Sequence, residues 1–203
     1  PLSAEFVSEY TKTDLSPDER VCRRFEIVCK NEQPKIHPDE KIVLVRTVCD
    51  VKDCFSEEEW AEIKKDHYIH ELGYVSNLSL DYERVLQTGL LSIKENATEY
   101  QARVIDAIID LCDRYKEEAA KMGRNDIVEV LTQVPRYKAR NFYEALQFFR
   151  ILHYSLWLEG DYHNTVGRFD MYMYPYLEAD MKKGLYTEES ALELLEDFFI
   201  SFN

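Results

Sequence analysis

Apolar residues recur along most of the chain at spacings of three and four, which is typical of amphipathic α-helices. In residues 101–121 they fall at i, i+3, i+4 and i+7 and would line one face of a long helix. In residues 142–158 they would be distributed around almost the whole circumference of a helix, as in a helix that is covered on several sides. The short run 42–45 is different, because its β-branched residues favour a strand or a buried extended segment.

Helix start and stop signals divide this pattern into separate helices. Ser-Pro-Asp-Glu at 16–19 and Ser-Glu-Glu-Glu at 56–59 have the form of capping boxes. Gly123, Gly160 and Gly184 each follow an apolar run at a point where glycine commonly ends a helix. The predicted helices cover 17–30, a short stretch from 57, 82–94, 101–121, 126–132, 142–158, 169–183 and the stretch from 188 to the C-terminal end.

These elements predict a mainly α fold with at most one or two short strands. Prolines in the segment 31–41 mark a soft boundary, so we expect an N-terminal helical arm, residues 1–35, and a helical body, residues 36–203. The last helix runs into an apolar end without a polar stop, and the first residue is Pro rather than Met. We therefore expect the chain to be part of a longer protein. When isolated it should self-associate through this uncovered end, as a homodimer or a larger species.

Charge and composition exclude several classes of protein. With 39 acidic and 25 basic residues the formal net charge is −14, which a nucleic-acid backbone or an anionic membrane surface would repel. No signal peptide is visible, and no apolar run approaches the ~20 residues of a membrane span. Five cysteines, an odd number without a CxxC pair, indicate reduced thiols in a cytoplasmic protein. We expect neither nucleic acid nor a membrane as a partner.

Few polar residues form a pattern that points to chemistry. His67 and His70 stand three apart, so a helix would place them on one face and a metal pair is conceivable, but a solvated helix end is the favoured interpretation. Common nucleophile, phosphate-loop and dinucleotide motifs are absent. The segment 163–170 is more informative, because loops held between rigid helices often carry binding residues. Its alternative role is that of a connector, in which Arg168 and Asp170 pair or cap the next helix.

Five stretches, in the same order, resemble the signatures of glycyl radical enzymes of the pyruvate formate-lyase-like family. The most specific is Gly-Arg-Phe-Asp-Met-Tyr-Met-Tyr-Pro-Tyr at 167–176, followed by Asp180, which is similar to the family's GRFDxYxYPY…D. The other four are 36–43 (similar to IxPDExIV), 81–90 (PDYxKVLxxGL), 134–147 (VP…ARTFxEALQ) and 184–196 (GxxTxEEALELLE).

The resemblance implies a large α/β barrel with helices packed outside it, of which this chain supplies the helical N-terminal portion. In that family a thiyl radical on a cysteine abstracts a hydrogen atom from the substrate, using a radical stored on a backbone glycine. A separate activating enzyme, with an iron–sulfur cluster and S-adenosylmethionine, installs the glycyl radical. The cysteines here lack the family's GCxE-like context, and the RVxGY-like glycine motif is absent. The resemblance thus implies no catalytic residue and no bound cofactor in this chain, which would not be competent alone.

The same resemblance assigns four residues to the substrate pocket. Thr165 holds the place of a Ser that faces the substrate in several members, and its hydroxyl retains the ability to hydrogen-bond. Asn164 and His163 adjoin it. Asn77 stands where dehydratase-type members often carry His, and because a neutral amide cannot act as a general acid or base, a simple diol or hydroxyproline dehydratase is disfavoured.

The sequence therefore predicts part of an anaerobic, cytoplasmic enzyme that acts on a small molecule. The subclass stays open between radical lyase, dehydratase, decarboxylase and formate acetyltransferase-like chemistry. The alternative is a non-enzymatic helical protein of the same family that works by interaction.

Overall fold

The computed structural model of the protein describes residues 1–67, 79–161 and 164–202, and within these ranges it contains ten α-helices and no β-strand. The helices are α1 Ala4–Tyr10, α2 Pro17–Asn31, α3 Glu57–His67, α4 Tyr82–Thr88, α5 Leu90–Lys94, α6 Glu99–Lys121, α7 Asn125–Gln133, α8 Phe142–Glu159, α9 Phe169–Lys182 and α10 Glu188–Ile200. The mainly α fold is confirmed. None of the helices in these ranges is both long enough and apolar enough to cross a bilayer.

The helix starts follow the local capping signals. The Ser16 hydroxyl accepts a hydrogen bond from the Glu19 amide at 3.2 Å, and the Asn141 side chain accepts one from the Glu144 amide at 2.9 Å. Thr187 forms a full capping box at the start of α10, with Ser190 as its reciprocal partner. Each such cap stabilises its helix by about 1 kcal/mol, which is why the predicted starts are close to the observed ones.

The predicted single helix over 82–94 is wrong, because Gly89 divides it into α4 and α5. Gly89 has a φ of 84° and a ψ of 156°, a conformation that glycine adopts far more easily than other residues. The amide of Leu90 donates to the Pro135 carbonyl at 2.9 Å, and that of Leu91 to the Arg136 carbonyl at 3.1 Å. The start of α5 thus takes its partners from a distant turn rather than from α4.

The central element of the core is α8. It contacts α2, α4, α7, α9 and α10, and its buried side chains point in all directions, as the sequence predicts. Beside it, α2 packs along α6. Arg103 of α6 joins these two helices through ion pairs with Glu19 at 2.7 Å and Glu26 at 2.6 Å.

The apolar run 42–45 is an irregular segment rather than a strand, with Ile42, Val43 and Leu44 buried and with a φ of 99° at Leu44. Gln147 of α8 binds both backbone groups of Val43, accepting from its N–H at 2.9 Å and donating to its carbonyl at 3.2 Å. Arg150 donates to the Leu44 carbonyl at 2.7 Å, and Tyr115 of α6 accepts from the Val45 amide at 3.0 Å. Helix side chains satisfy the backbone of this segment, so no partner strand is needed. The boundary at 31–41 stays a prediction.

Candidate functional site

Two of the four predicted pocket residues, Asn164 and Thr165, lie in the loop that joins α8 to α9. After Glu159, Gly160 takes the left-handed conformation, with a φ of 109°, and ends α8 by donating to the Trp157 carbonyl at 3.2 Å. Thr165 is exposed and Asn164 is half-buried. His163 and Asn77 lie outside the described residues. The Thr165 side chain is therefore accessible from solvent.

The Asn164 side chain makes one hydrogen bond within this loop and leaves its oxygen without a partner among the described residues. Its Nδ2 donates to the Asp161 carbonyl. Its Oδ1 is buried and has no hydrogen-bond partner among the described residues. Because a buried acceptor without a donor is costly, this oxygen is a natural point for a donor group to bind.

Two distant parts of the sequence meet at the end of this loop. A side-chain carbon placed on Gly167, whose φ is +59°, would stand 3.1 Å from the Ser79 hydroxyl oxygen. Ser79 directly precedes Leu80 and the Asp81-Tyr82 motif at the start of α4. The loop that carries Thr165 and the segment that leads into α4 are therefore neighbours, and even a methyl group at position 167 would require the Ser79 hydroxyl to move slightly.

An aromatic stack packs the 81–90 motif and the 167–176 motif against α8. The Tyr82 ring stacks on Phe149 of α8, with centroids 4.2 Å apart, and on Tyr172 of α9 at 6.0 Å. The Tyr172 hydroxyl donates to the Val166 carbonyl. Three helices thus set the position of the loop, which is the rigid support that a binding site requires.

Residues of the 167–180 motif have different roles in the structure. Asp180 is fully buried and accepts from the Phe142 amide at 2.8 Å, so it supports the start of α8. Arg168 and Asp170 form a bidentate ion pair, with contacts of 3.0 and 2.7 Å, although their side chains are 74% and 68% exposed. The guanidinium lowers the pKa of Asp170. The predicted alternative, that these two residues pair, is confirmed.

Sequence reasoning missed Glu159, a second polar group at the base of the loop. Burial raises the pKa of the Glu159 carboxyl to about 7, although Arg24 opposes this shift from 3.2 Å away. Glu159 and Asp161 border a cleft of about 260 Å³ whose other walls are mainly apolar side chains of α2, α6 and α8. A carboxyl that titrates near neutral pH beside a cleft is a candidate functional group. The available signal was an acidic residue in the last turn of a mostly apolar helix.

The other candidate residues form no recognisable centre. His67 is the last residue of α3, and His70 lies outside the described residues. In the part of the chain that the structure describes, no group of three or more His, Cys, Asp or Glu side chains could hold a metal ion. Burial raises the pKa of the Cys22 thiol to about 11 and also raises the pKa values of Cys29 and Cys112. These thiols are not poised as nucleophiles.

Comparison with known proteins decides the family. The family described as pyruvate formate lyase-like matches residues 51–203, which is most of the chain. The chain belongs to the pyruvate formate lyase-like family of glycyl radical enzymes. It corresponds to the N-terminal part of their fold.

Glycyl radical enzymes similar to this chain are considerably longer. The isethionate sulfite-lyase of Oleidesulfovibrio alaskensis is 32% identical over 154 residues, which cover 59% of this chain and 19% of that protein. The trans-4-hydroxy-L-proline dehydratase of Clostridioides difficile is 28% identical over 123 residues, covering 54% of this chain and 16% of that protein. A solved glycyl radical enzyme from Archaeoglobus fulgidus has the same fold with a TM-score of 0.76 at 19% identity, over 98% of this chain and 37% of that one. The chain therefore spans about a fifth of the length of these curated relatives and about a third of the solved structure.

Proposed function

We propose that this chain is the N-terminal portion of a glycyl radical lyase or dehydratase, in which it supplies scaffold and one wall of the substrate pocket. The observation that carries the proposal is the meeting of the Thr165 loop with the segment at Ser79, because it brings together the two stretches from which the pocket residues are expected. An exposed hydroxyl at Thr165 and an unpartnered Oδ1 at Asn164 suit a small polar substrate.

Thr165, Asn164, His163 and Asn77 are the substrate-binding residues of this proposal. Thr165 would bind a hydroxyl or anionic group of the substrate, and Asn164 would accept from a donor. The relatives are named for isethionate and for trans-4-hydroxy-L-proline, both small hydroxylated acids. A small molecule with a hydroxyl group and a negatively charged group is therefore the substrate class that we propose. With Asn at position 77, we favour a lyase over a dehydratase that relies on His there.

The radical chemistry belongs to polypeptide beyond this chain. The reactive cysteine and the radical-bearing glycine have no counterpart in this sequence, so we assign no catalytic residue and no bound cofactor to it. The proposed complete enzyme carries a glycyl radical, which an activating enzyme with an iron–sulfur cluster and S-adenosylmethionine installs. We propose a cytoplasmic, anaerobic setting, and a homodimer as its assembly.

Electron paramagnetic resonance tests this proposal. The complete gene product that contains this sequence is treated under anoxic conditions with the activating enzyme, S-adenosylmethionine and a reductant. We expect a glycyl radical doublet, and turnover of a hydroxylated sulfonate or carboxylate. The 203-residue chain, treated in the same way, should give no doublet. A doublet from the isolated chain, or its absence from the complete product, would contradict the proposal.

A second candidate is a non-enzymatic helical protein of the same family that works by interaction. The exposed apolar side chains of Met171 and Ile200 would serve such a protein as contact residues. The same measurement separates the two, since an interaction protein gives no radical signal in any form that contains this sequence.

A further inference from the structure

The cleft beside Glu159 is an apolar cavity whose acidic groups come from one place. Its volume is about 260 Å³, slightly below the range of about 300–1,000 Å³ that is usual for sites of drug-sized ligands. Phe25 of α2, Ile108 of α6 and Leu152 of α8 form apolar walls. Glu159 is the last residue of α8 and Asp161 follows two positions later, so both carboxyls border the cleft at the same end of this helix. The cleft suits a small ligand that is mainly apolar and carries one polar group.

The charges that act on Glu159 are mostly negative. Within the described ranges, Arg24 attracts the negative charge of this carboxylate, whereas Asp161 and Asp53 repel it. Three carboxyls therefore face one guanidinium. Both carboxylate oxygens of Glu159 are buried, and neither accepts a hydrogen bond from a described residue. A second cation with hydrogen-bond donors would supply what this carboxylate lacks.

A wider apolar groove adjoins the cleft. The groove has a volume of about 750 Å³ and shares four lining residues with the cleft, Val21, Leu80, Val104 and Leu152. Because the two cavities have these walls in common, a ligand held in the cleft lies next to further apolar surface. Longer apolar ligands can therefore bury more of their own surface than the cleft alone allows.

Other kinds of ligand fit the cleft less well. Thr165 and Asn164 are not among the described residues that line it, and the negatively charged substrate class proposed above would be repelled by Glu159 and Asp161. A metal ion lacks ligands, since no group of three or more His, Cys, Asp or Glu side chains in the described part of the chain could hold one. An organic cation matches both the acidic end and the apolar walls.

We propose that this cleft binds a small primary amine with an apolar body, at a site separate from the substrate pocket. The ammonium group donates to the Glu159 carboxylate, and its three donors allow it to satisfy both oxygens and to face Asp161 as well. The apolar body packs against Phe25, Ile108 and Leu152. The site goes beyond the proposed function and does not depend on it, because every residue that forms it lies in the described part of this chain.

Isothermal titration calorimetry of the 203-residue chain at pH 8 tests the proposal with ligands that differ in one property at a time. Hexylamine is the cationic probe, and hexan-1-ol and hexanoate have the same number of carbons with a neutral and an anionic head group. We expect saturable binding of hexylamine, about tenfold weaker binding of hexan-1-ol and no binding of hexanoate. Butylamine buries two CH₂ groups fewer and should bind about tenfold more weakly than hexylamine. The proposal is overturned if hexylamine does not bind saturably, or if hexan-1-ol binds as tightly.

Two substitutions locate the site, and a third is the matched control. Glu159→Gln keeps the size of the side chain without its charge and should weaken hexylamine binding about tenfold or more. Val104→Phe fills space where the cleft and the groove adjoin, and should abolish binding with Glu159 still present. Glu193→Gln removes an exposed carboxylate of α10 and should leave the affinity within about twofold of the wild type.

Melting temperatures at pH 8 show whether each variant is folded. If Val104→Phe proves unstable, the two Gln variants decide the question, because neither change introduces bulk. Equal affinity of Glu159→Gln and Glu193→Gln for hexylamine would place the binding elsewhere on the protein and overturn the proposal.

Discussion

Arg24 of α2 lies with its Nη1 3.2 Å from a carboxylate oxygen of Glu159, and so joins the N-terminal helices to the end of α8. The same nitrogen donates to the Glu159 backbone carbonyl at 3.1 Å. Neither Glu159 carboxylate oxygen accepts a hydrogen bond within the described residues. The carboxyl also sits at the C-terminal end of a helix, where the macrodipole disfavours a negative charge. Arg24 therefore offsets only part of the cost of burying the ionised Glu159 carboxylate, and this contact lies at the base of the Thr165 loop.

The first prediction concerns pH. Burial raises the pKa of Glu159 to about 7 from its ordinary 4.5, so between these values the folded chain binds more protons than the unfolded chain. This group therefore stabilises the fold at pH 4.5 and below, and its contribution is lost as the pH rises through 7. At about 1.4 kcal/mol per pKa unit the full effect is up to about 3 kcal/mol.

Urea unfolding of the wild type and of Glu159→Gln at pH 5.5 and pH 8 measures this effect. The wild type should lose more stability than the variant over this interval, because the amide does not titrate. If the free energy of unfolding changes with pH in the same way for both proteins, the pKa of Glu159 is not raised in the folded chain.

The second prediction compares two buried arginines, Arg24 and Arg150. Arg150 is 1% exposed, its Nε and Nη1 lack partners, and no carboxylate pairs with it among the described residues. Burial lowers its pKa to about 10. Arg150→Met removes a buried charge without a carboxylate partner, at the cost of one hydrogen bond to the Leu44 carbonyl and of cation–π contacts with Tyr154 and Phe202. We expect it to change the free energy of unfolding by less than about 1 kcal/mol, or to raise it.

Arg24→Met is the contrasting variant. It leaves the buried Glu159 carboxyl without its cation and should cost about 3 kcal/mol at pH 8. Chemical denaturation measures both variants under the same conditions. If Arg150→Met proves the more damaging change, the view of Arg150 as an uncompensated charge is wrong.

Helix positions could be predicted from the sequence because their signals are local. Ser16, Asn141 and Thr187 each cap a helix three residues or fewer from the groups they bind, so the sequence alone specifies the contact. The break at Gly89 could not be predicted in the same way. Its partners, Pro135 and Arg136, are distant in sequence, and a single glycine within an apolar pattern also fits an unbroken helix.

The candidate site could be predicted only as separate parts. Resemblance to the family gave Thr165 and its neighbours, but not the proximity of Ser79 to Gly167, which depends on how α4 and α9 pack on Phe149. Glu159 carried no signal beyond its position in an apolar helix. Its raised pKa arises from burial, which depends on tertiary packing and cannot be deduced from local sequence.

The third prediction concerns Thr165. In the complete, activated enzyme, Thr165→Val keeps the shape of the side chain but removes the hydroxyl, and should lower kcat/KM about tenfold through the loss of one hydrogen bond to the substrate. Thr165→Ser keeps the hydroxyl and should stay within threefold of the wild type. Steady-state kinetics measure both. Because Thr165 is exposed, neither change should alter the melting temperature. Equal activity of the Val and Ser variants would remove Thr165 from the pocket.

The last prediction concerns the junction of α4 and α5. A side-chain carbon at Gly89 would stand 2.5 Å from the Tyr137 backbone carbonyl carbon and 2.6 Å from the Arg136 carbonyl oxygen. Gly123 offers a matched control, since it also has a positive φ, 72°, but open space around it. Gly123→Ala should cost about 1 kcal/mol for the left-handed backbone alone. Gly89→Ala should cost at least about 2 kcal/mol more, because the backbone of the 135–137 turn must move. Urea denaturation of both variants checks the difference; similar losses would mean that the close approach of α5 to this turn does not hold in solution.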